Sequence, residues 1–433
     1  MPRPIRLTRP TPSTSRYFHG TNLPLYNYGQ DCHPPDVDFS LVELSEEDRE
    51  FQAELRAFLA EIVTEDVIRR DRETGQNFDE GVHLALGANG YLAGDYKTLS
   101  DGGFNAVRRR IFDLEVGRAH TPWFHWGTTA QVAKMVEEFG RPDVTAEVLP
   151  GVLDGSIRLC LGYTEPEGGS DVASCKTRAV PDGDQWVING AKMFTSNAHN
   201  AQYVFLLTNT DPQAPKHKSL TMFLVPLDTP GIEIQGIRTV DGDRTNIVYY
   251  SDVRVADRYR VGEVNGGWTV MRMALDAEHG VGERGAQGLQ RLCTMTEHGL
   301  LMAEAVDTVA GIVGRDGADG RRRIDDDSVA YRLGRSIARM EAVMSTADMY
   351  GRVAIAATMR EISPDLMDVL GSAGSLPVET EGSADDGAAE YLFRLAGPMG
   401  VYGGTLEVFR NMIAQHRLGL GRPNYSPPAG SSA

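Results

Sequence analysis

Hydrophobic positions in the first third of the chain recur at helical spacing. Leu44 is followed by Ser45-Glu-Glu-Asp and then FQAELRAFLAEIV, which sets Phe51, Leu55, Phe58, Leu59 and Ile62 on one face. Ser45 is the predicted N-cap, with acids in the first turn. The same texture runs through AVRRRIFDLEVGRAH and GTTAQVAKMVEEFG to about Arg158. From Arg158 to Val261 the period shifts toward two. DQWVINGAKMF, AQYVFLLTNT, SLTMFLVPLD, IEIQGIRTV and TNIVYYSDVRV are rich in β-branched and aromatic residues, and PDGD, DPQAP, DTPG and DGDR punctuate them as turns. After Gly266-Gly267 helical spacing returns in WTVMRMALDAEHG, GAQGLQRLCTMTEHGLLMAEAVDTVAGIVG, DSVAYRLGRSIARMEAVMSTADMYGRVAIAATMR and GGTLEVFRNMIAQHRL.

The pattern predicts an α+β chain: a helical domain over 44–158, a β middle domain over 159–264 and a helical bundle over 265–423. An extended arm, 1–43, precedes them and a disordered tail, 424–433, follows. The arm holds four prolines in its first twelve residues, no acid before Asp31 and no apolar h-region. It reads neither as a secretory signal nor as an amphipathic transit helix, so a cytoplasmic location is expected. An arm of this kind lies on its own fold or on a neighbouring subunit.

Composition narrows the chemistry. Lys and Arg number 43 against 60 acids, a net charge of −17, which argues against general nucleic-acid binding. No apolar run approaches the roughly 20 residues of a membrane span. The four cysteines (Cys32, Cys160, Cys175, Cys293) include no CxxC pair. The histidines, among them His83, His120, His125, His279 and His298, show no ligand spacing, so no metal site is expected. His120-Thr-Pro-Trp-Phe-His125 is aromatic enough to line an apolar pocket, although such a run also serves as helix-end packing. No GxGxxG motif is evident.

Three short segments can bear chemistry. Gly162-Tyr-Thr-Glu-Pro-Glu-Gly-Gly-Ser-Asp171 opens the β domain, with glycines that admit a ligand close to the backbone and hydroxyls at Thr164 and Ser170. Asn189-Gly-Ala-Lys-Met-Phe-Thr-Ser-Asn197 sets an aromatic ring beside two hydroxyls, suited to stacking on a planar ring. Gly397-Pro-Met-Gly-Val-Tyr-Gly-Gly-Thr-Leu-Glu-Val-Phe-Arg-Asn411 runs a glycine pair into a helix capped by Thr405, with Glu407 in its first turn. Taken singly, each also reads as a turn, a strand or a helix start.

In this order and spacing the three segments resemble the acyl-CoA dehydrogenase family of flavoproteins. TEPEGGSD is similar to the family's TEPxxGSD, GAKMFTSN to its GxKxWITN, and YGGTLEVFRN to its Y(E/G)GTxxxxR(N/I). The resemblance spans roughly Leu44 to Pro423. It implies a helical N-terminal domain, a β-barrel-like middle domain and a C-terminal four-helix bundle, with FAD between the last two. It also implies that Leu161, Tyr163, Thr164, Gly169 and Ser170 line the flavin and its pyrophosphate, with Thr164 on the pyrimidine edge. Phe194 stands where the family usually has Trp, and Ser196, after Thr195, where it has Thr near flavin N5. Thr405 and Glu407 match positions on the adenosine half, and Ser170 lies near the acyl-CoA path. Arg323 is one of three candidates, with Arg321 and Arg322, for an intersubunit pyrophosphate contact. Gly371 belongs to Asp368-Val-Leu-Gly-Ser-Ala-Gly374, where the family's glutamine is missing.

The reaction so implied removes an α-proton from an acyl thioester while a β-hydride leaves to the flavin, so a carboxylate must reach the α-carbon. Many relatives place that Glu directly after the motif tyrosine. Here that position is Gly403, after Tyr402. A minority branch, isovaleryl- and long-chain-type, has the base on an earlier helix within LDxER. This chain has Leu275-Asp276-Ala-Glu278-His279, so Glu278 is the candidate base, with Asp276, His279 and Tyr402 around the substrate. Glu283 is a weaker candidate on register. Gly403 keeps the backbone N–H that the family uses, with a flavin ribityl hydroxyl, to polarise the thioester carbonyl. The resemblance further implies an electron-transfer flavoprotein as acceptor and a homodimer or homotetramer. Three alternatives stay open: oxidase or monooxygenase chemistry on the same fold, a binding member without turnover, and a subunit of a heteromeric dehydrogenase.

Overall fold

The computed structural model describes residues 43–278, 296–317, 320–344, 346, 348–378, 380–384 and 387–421. The arm at 1–42 and the tail therefore lie outside the described residues, as do His279 and Glu283.

Among the described residues seven helices come first: α1 (Glu46–Ile62), α2 (Glu65–Thr74), α3 (Glu80–Ala88), α4 (Tyr91–Tyr96), α5 (Ala106–Arg118), α6 (Trp126–Phe139) and α7 (Pro142–Asp154). Their starts follow cap chemistry. The Ser45 hydroxyl accepts from the Asp48 amide at 3.1 Å and Asn105 accepts from the Arg108 amide at 2.8 Å, while Pro142 opens α7. Leu55 and Leu59 are buried on the face the spacing predicts, with Phe51, Phe58 and Ile62 half-buried beside them. Glu115 on α5 is buried and accepts from Arg56 (2.6 Å) and Gln52 (2.7 Å), which ties α1 to α5.

Eight strands follow: β1 (Leu159–Gly162), β2 (Arg178–Asp182), β3 (Gln185–Met193), β4 (Tyr203–Asn209), β5 (Leu220–Pro226), β6 (Ile232–Arg238), β7 (Arg244–Ala256) and β8 (Arg260–Val261). They form one mixed sheet in the order β6-β7-β3-β2-β4-β5-β8, with β1 joined parallel to β4. The five segments of period-two texture become β3 to β7. β1 and β2 escape that reading because one has four residues and the other contains Pro181 beside a turn. The ladder between β3 and β7 shifts register between Ile188 and Gly190. Gly190 is required there: its φ is +151°, and a Cβ would lie 2.7 Å from the Thr177 Cα.

The C-terminal part comprises α8 (Gly267–Glu278), α9 (Thr296–Val313), α10 (Asp327–Met344), α11 (Asp348–Leu370), α12 (Ala388–Ala396) and α13 (Leu406–Met412). Met302, Val306, Val309, Ile355, Met359, Ile362, Leu366, Leu392 and Leu395 form its common core. The long periodic run from Asp327 contains two helices, α10 ending at Met344 and α11 starting at Asp348. The two helices run antiparallel, joined by Arg335 to Asp365 at 2.9 Å and Arg332 to Asp368 at 3.2 Å. The sequence pattern missed α12, a nine-residue helix directly after an acidic, glycine-containing loop.

Candidate active site

The GYTEPEGGSD loop leaves β1 and the GAKMFTSN segment ends β3. Two features bind them. The Met193 amide donates to the Thr164 carbonyl at 2.8 Å. Beneath that bond Lys192 is fully buried, its Nζ 2.8 Å from Glu165 Oε1 and 3.1 Å from the Tyr163 carbonyl. Glu165 also accepts from the Lys176 amide at 2.7 Å and the Thr177 amide at 2.8 Å. Burial pushes its carboxyl up, but the Lys192 charge and these hydrogen bonds outweigh it and hold the group near 2. Cys175 completes the cluster, its Sγ 3.3 Å from Lys192 Nζ, and burial pushes its thiol up to about 11.

That clamp presents Phe194. Its backbone is left-handed, φ +56°, which a side chain rarely adopts, and its ring is 53 % exposed. Half-buried Thr164 and exposed Gly169 and Ser170 border the same loop pair. Ser196 is half-buried with its hydroxyl 3.0 Å from that of Thr245. Thr195 is wholly buried, its amide donating to the Asn246 carbonyl. Leu161 is half-buried and Tyr163 buried below the loop. An exposed aromatic face beside hydroxyls and a glycine-lined backbone is a donor set that fits the edge and face of a flavin ring.

A second centre forms where the C-terminal loop crosses the bundle. Gly403 and Gly404 are both left-handed, at φ +59° and +96°. Among the described residues the Gly403 amide donates to no partner, so it can serve a ligand oxygen. Tyr402 is pinned by its hydroxyl, 2.6 Å from His298 Nε2 on α9. Burial, with the Arg352 charge behind it, pushes His298 down to about 3, and burial raises the Tyr402 phenol well above its usual range, so both are neutral. Phe124 meets both rings edge-on, at 5.7 and 6.5 Å. The aromatic run at 120–125 therefore does reach the Tyr402 site. Arg352 on α11, buried, donates to the Tyr402 and Gly404 carbonyls.

Comparison with known proteins decides the family. Residues 45–156 match the acyl-CoA dehydrogenase N-terminal domain and 160–253 match the acyl-CoA dehydrogenase middle domain. The acyl-CoA dehydrogenase IpdE1 of Mycolicibacterium smegmatis is 33% identical over 399 residues, covering 86% of this chain and 98% of that protein. The chain belongs to the acyl-CoA dehydrogenase family. Two solved structures agree. One is the steroid ACAD Tcur3481-Tcur3483, with TM-score 0.75, 31% identity and coverage of 88% of this chain and 99% of that one. The other is the ChsE4-ChsE5 complex of Mycobacterium tuberculosis, with TM-score 0.75, 28% identity and coverage of 89% and 100%. The chain is thus of an oxidoreductase family whose fold has an N-terminal helical domain, a sheet middle domain and C-terminal helices, and a flavin is the cofactor the family implies. Among the described residues no helix is long and apolar enough to cross a membrane.

The remaining candidate positions fall into place unevenly within the acyl-CoA dehydrogenase fold. Arg323 and Gly371 are brought together: Arg323 Nη1 donates to the Leu370 carbonyl at 2.8 Å, and Gly371 has φ +70°. Asp368, in the degraded element, is paired with Arg332. Thr405 caps α13 by accepting from the Val408 amide at 3.3 Å, and Glu407 is exposed in its first turn, 3.6 Å from Arg410. Glu278 is the last residue of α8, in helical register with buried Met271 and Ala274, and Asp276 is half-buried. Gln131 Nε2 fixes this end of α8 by donating to the Ala274 carbonyl at 2.8 Å. Lys192, Glu165 and Arg352 were not singled out by sequence. A buried charge shows only when the fold pairs it.

Proposed function

We propose that the protein catalyses FAD-dependent α,β-dehydrogenation of an acyl-CoA thioester to the trans-2-enoyl-CoA. The observation that supports this most directly is the exposed Phe194 ring, clamped at left-handed backbone beside the Thr164 loop. Bound there, FAD supplies the hydride acceptor. Phe194 stacks against the ring, and Thr164 and Ser196 hydrogen-bond its edge. Leu161, Tyr163, Gly169, Ser170 and Thr195 shape the surrounding cradle, and Arg323, Gly371, Thr405 and Glu407 serve the pyrophosphate and adenosine half. The Gly403 amide donates to the thioester oxygen, which acidifies the α-proton. Glu278 takes that proton, with Asp276, His279 and Tyr402 ordering the acyl-CoA around it. Electrons then pass to an electron-transfer flavoprotein.

A specific observation favours assembly with a second kind of chain over a homo-oligomer. Asp368 stands where the family has glutamine, and its carboxylate is already paired with Arg332 in the same chain. A neighbour's flavin site built on that position lacks its usual side chain, so a different partner completes it. Two of the similar structures bear two-protein names, one described as steroid. A bulky, steroid-derived acyl group is accordingly the first to try.

The test is to mix the purified protein anaerobically with short, long, branched and steroid-derived acyl-CoAs and follow visible flavin absorbance. Bleaching by one class establishes the dehydrogenation. A yellow protein that never bleaches overturns it in favour of oxygen chemistry or binding without turnover. A colourless protein that becomes yellow and active on co-expression with a second subunit supports the heteromeric assembly.

A further inference from the structure

Gln76 stands in the short loop between α2 and α3, yet it holds residues from two other parts of the chain. Its side-chain Oε1 accepts from Asn200 Nδ2 at 3.0 Å and lies 3.3 Å from His199 Nε2. Its main-chain carbonyl accepts from His125 Nε2 at 3.0 Å. His125 adjoins Phe124, which meets His298 and Tyr402 edge-on. The loop is itself closely seated. Gly75 has φ +57°, and a Cβ there would lie 2.1 Å from the Gly242 carbonyl oxygen. The Gly75 carbonyl accepts from the Arg244 amide at 2.6 Å.

The hydrogen bonds around His199 fix its proton. Asn246, wholly buried, donates through Nδ2 to the Thr195 carbonyl at 2.9 Å, so its amide nitrogen must face that way. The same nitrogen lies 3.2 Å from His199 Nδ1, which must therefore be bare and accept. Burial, with the Arg244 charge beside it, pushes His199 down to about 4, so the ring is neutral and its proton is on Nε2. Nε2 then donates to Gln76 Oε1. Asn200 Nδ2 also comes within 3.1 Å of Nε2, but its two hydrogens serve Gln76 Oε1 and Asn197 Oδ1. Thr195, at the other end of this chain, stands between Phe194 and Ser196, the two side chains proposed to meet the flavin.

We infer that Gln76 is a positioning residue for the flavin site: its Oε1 holds His199 in the Nε2–H form, and His199, through Asn246, holds the Thr195 peptide that sets Phe194 and Ser196. The inference rests on the reading that the flavin covers Phe194. It goes beyond that reading by assigning the placement of the turn to a loop residue 123 positions before His199. A second proton on His199 undoes the arrangement. Nδ1 becomes a donor facing the Asn246 donor, and the amide can answer only by turning its oxygen toward the Thr195 carbonyl. A neutral acceptor at position 76 suits this chain, whereas a carboxylate there favours the imidazolium. Arg244 and the neutral His125 are the other titratable groups bearing on His199, and the Arg244 charge opposes the second proton.

The test uses the full chain, ¹⁵N-labelled at histidine, in wild type, Q76M and Q76E, with H199Q to identify the His199 signal. Two-bond ¹H–¹⁵N correlation reads the tautomer. Fluorescence titration of deflavinated protein with FAD reads affinity between about pH 5 and 8, each variant relative to wild type at the same pH. Wild-type His199 should carry its proton on Nε2 throughout. Q76M, without the acceptor, should lose that fixed tautomer and bind FAD about fivefold more weakly at every pH, the worth of one hydrogen bond. Q76E keeps an acceptor but adds charge. Its His199 should gain the second proton within this range, and its relative affinity should fall by about fivefold toward acid and return to the wild-type value toward alkali. That return shows an intact fold and decides the matter even where Q76M does not fold. A wild-type His199 protonated on Nδ1 overturns the role of Gln76, as does a Q76E affinity whose ratio to wild type does not change with pH. F194A, titrated alongside, separates the two readings. Unaltered affinity in F194A takes the flavin away from this segment and overturns both, whereas a loss in F194A with none in Q76M or Q76E overturns Gln76 alone.

Discussion

Lys192 and Glu165 lie 27 positions apart in sequence and 2.8 Å apart in the structure, one at the end of β3 and the other in the loop after β1. Each sits inside a segment that borders the proposed flavin site, yet both side chains are buried; their pairing holds the two segments in register. K192M should destabilise the fold by about 3 kcal/mol, the lower end for breaking a buried pair, because Glu165 keeps two amide donors. The Glu165 carboxyl is held below its ordinary value, so its contribution is present above about pH 4.5 and disappears as pH falls toward 2. Denaturant unfolding should therefore show the gap between wild type and K192M closing from pH 7 to pH 3. Adding Glu165→Gln to K192M should recover part of the loss at pH 7. An unchanged gap across that range would show that the pair does not set it.

Phe194 combines left-handed backbone with an exposed ring, an arrangement that costs the free protein and benefits it only once a planar ligand covers the ring. F194A should weaken flavin binding about fivefold, in line with roughly 1 kcal/mol for an aromatic stack, while the flavin-free protein melts no lower than wild type. F194W should bind at least as tightly as wild type. Fluorescence titration of deflavinated protein gives both values. A flavin affinity unaltered in F194A would remove the ring from the cofactor face.

The parts of the site that sequence exposes are those whose local backbone needs particular residues. Gly162–Asp171, Gly403-Gly404 and the Thr405 cap are legible because turns and caps leave a compositional mark. The Ser45 cap and the buried stripe of α1 were read in the same way. Arg352 and its carbonyls, His298 and Tyr402, and Lys192 and Glu165 are not legible. Each pair is joined by tertiary packing, and a lone Arg, His or Lys within a periodic element carries no sign of what it will meet. The short elements β1, β2 and α12 are hidden for a related reason: their period repeats too few times to stand out.

Asp243 offers a pH-dependent test. Burial first, and then the neighbouring Asp241, push its carboxyl up from 3.8 to about 7. A raised folded value means the proton is held more tightly in the native state. The associated stability is fully present below about pH 4 and is lost as pH rises through 7. D243N, which keeps the shape without the charge, should be about 2 kcal/mol more stable than wild type at pH 8 and no more stable at pH 4. Thermal melts of the two proteins across that range check the sign, and an advantage for D243N that grows toward acid would contradict it.

The proton-abstracting role of Glu278 is the sharpest catalytic prediction. Gly403 leaves the C-terminal loop without a carboxylate after Tyr402, so the base must come from another element. Glu278 ends α8 at a point tied to α6 through Gln131 and Ala274, and its helical register continues that of Met271 and Ala274. A general base contributes about 10²–10⁴-fold to such a step. E278Q should therefore retain flavin and bind the acyl-CoA, seen as a perturbed flavin spectrum, but bleach at least about 10²-fold more slowly under anaerobic stopped flow. E283Q, a change of the same size a few residues on, should bleach at the wild-type rate. The reverse pattern would move the base to Glu283, and wild-type bleaching in both variants would require a carboxylate from a different element or a partner chain.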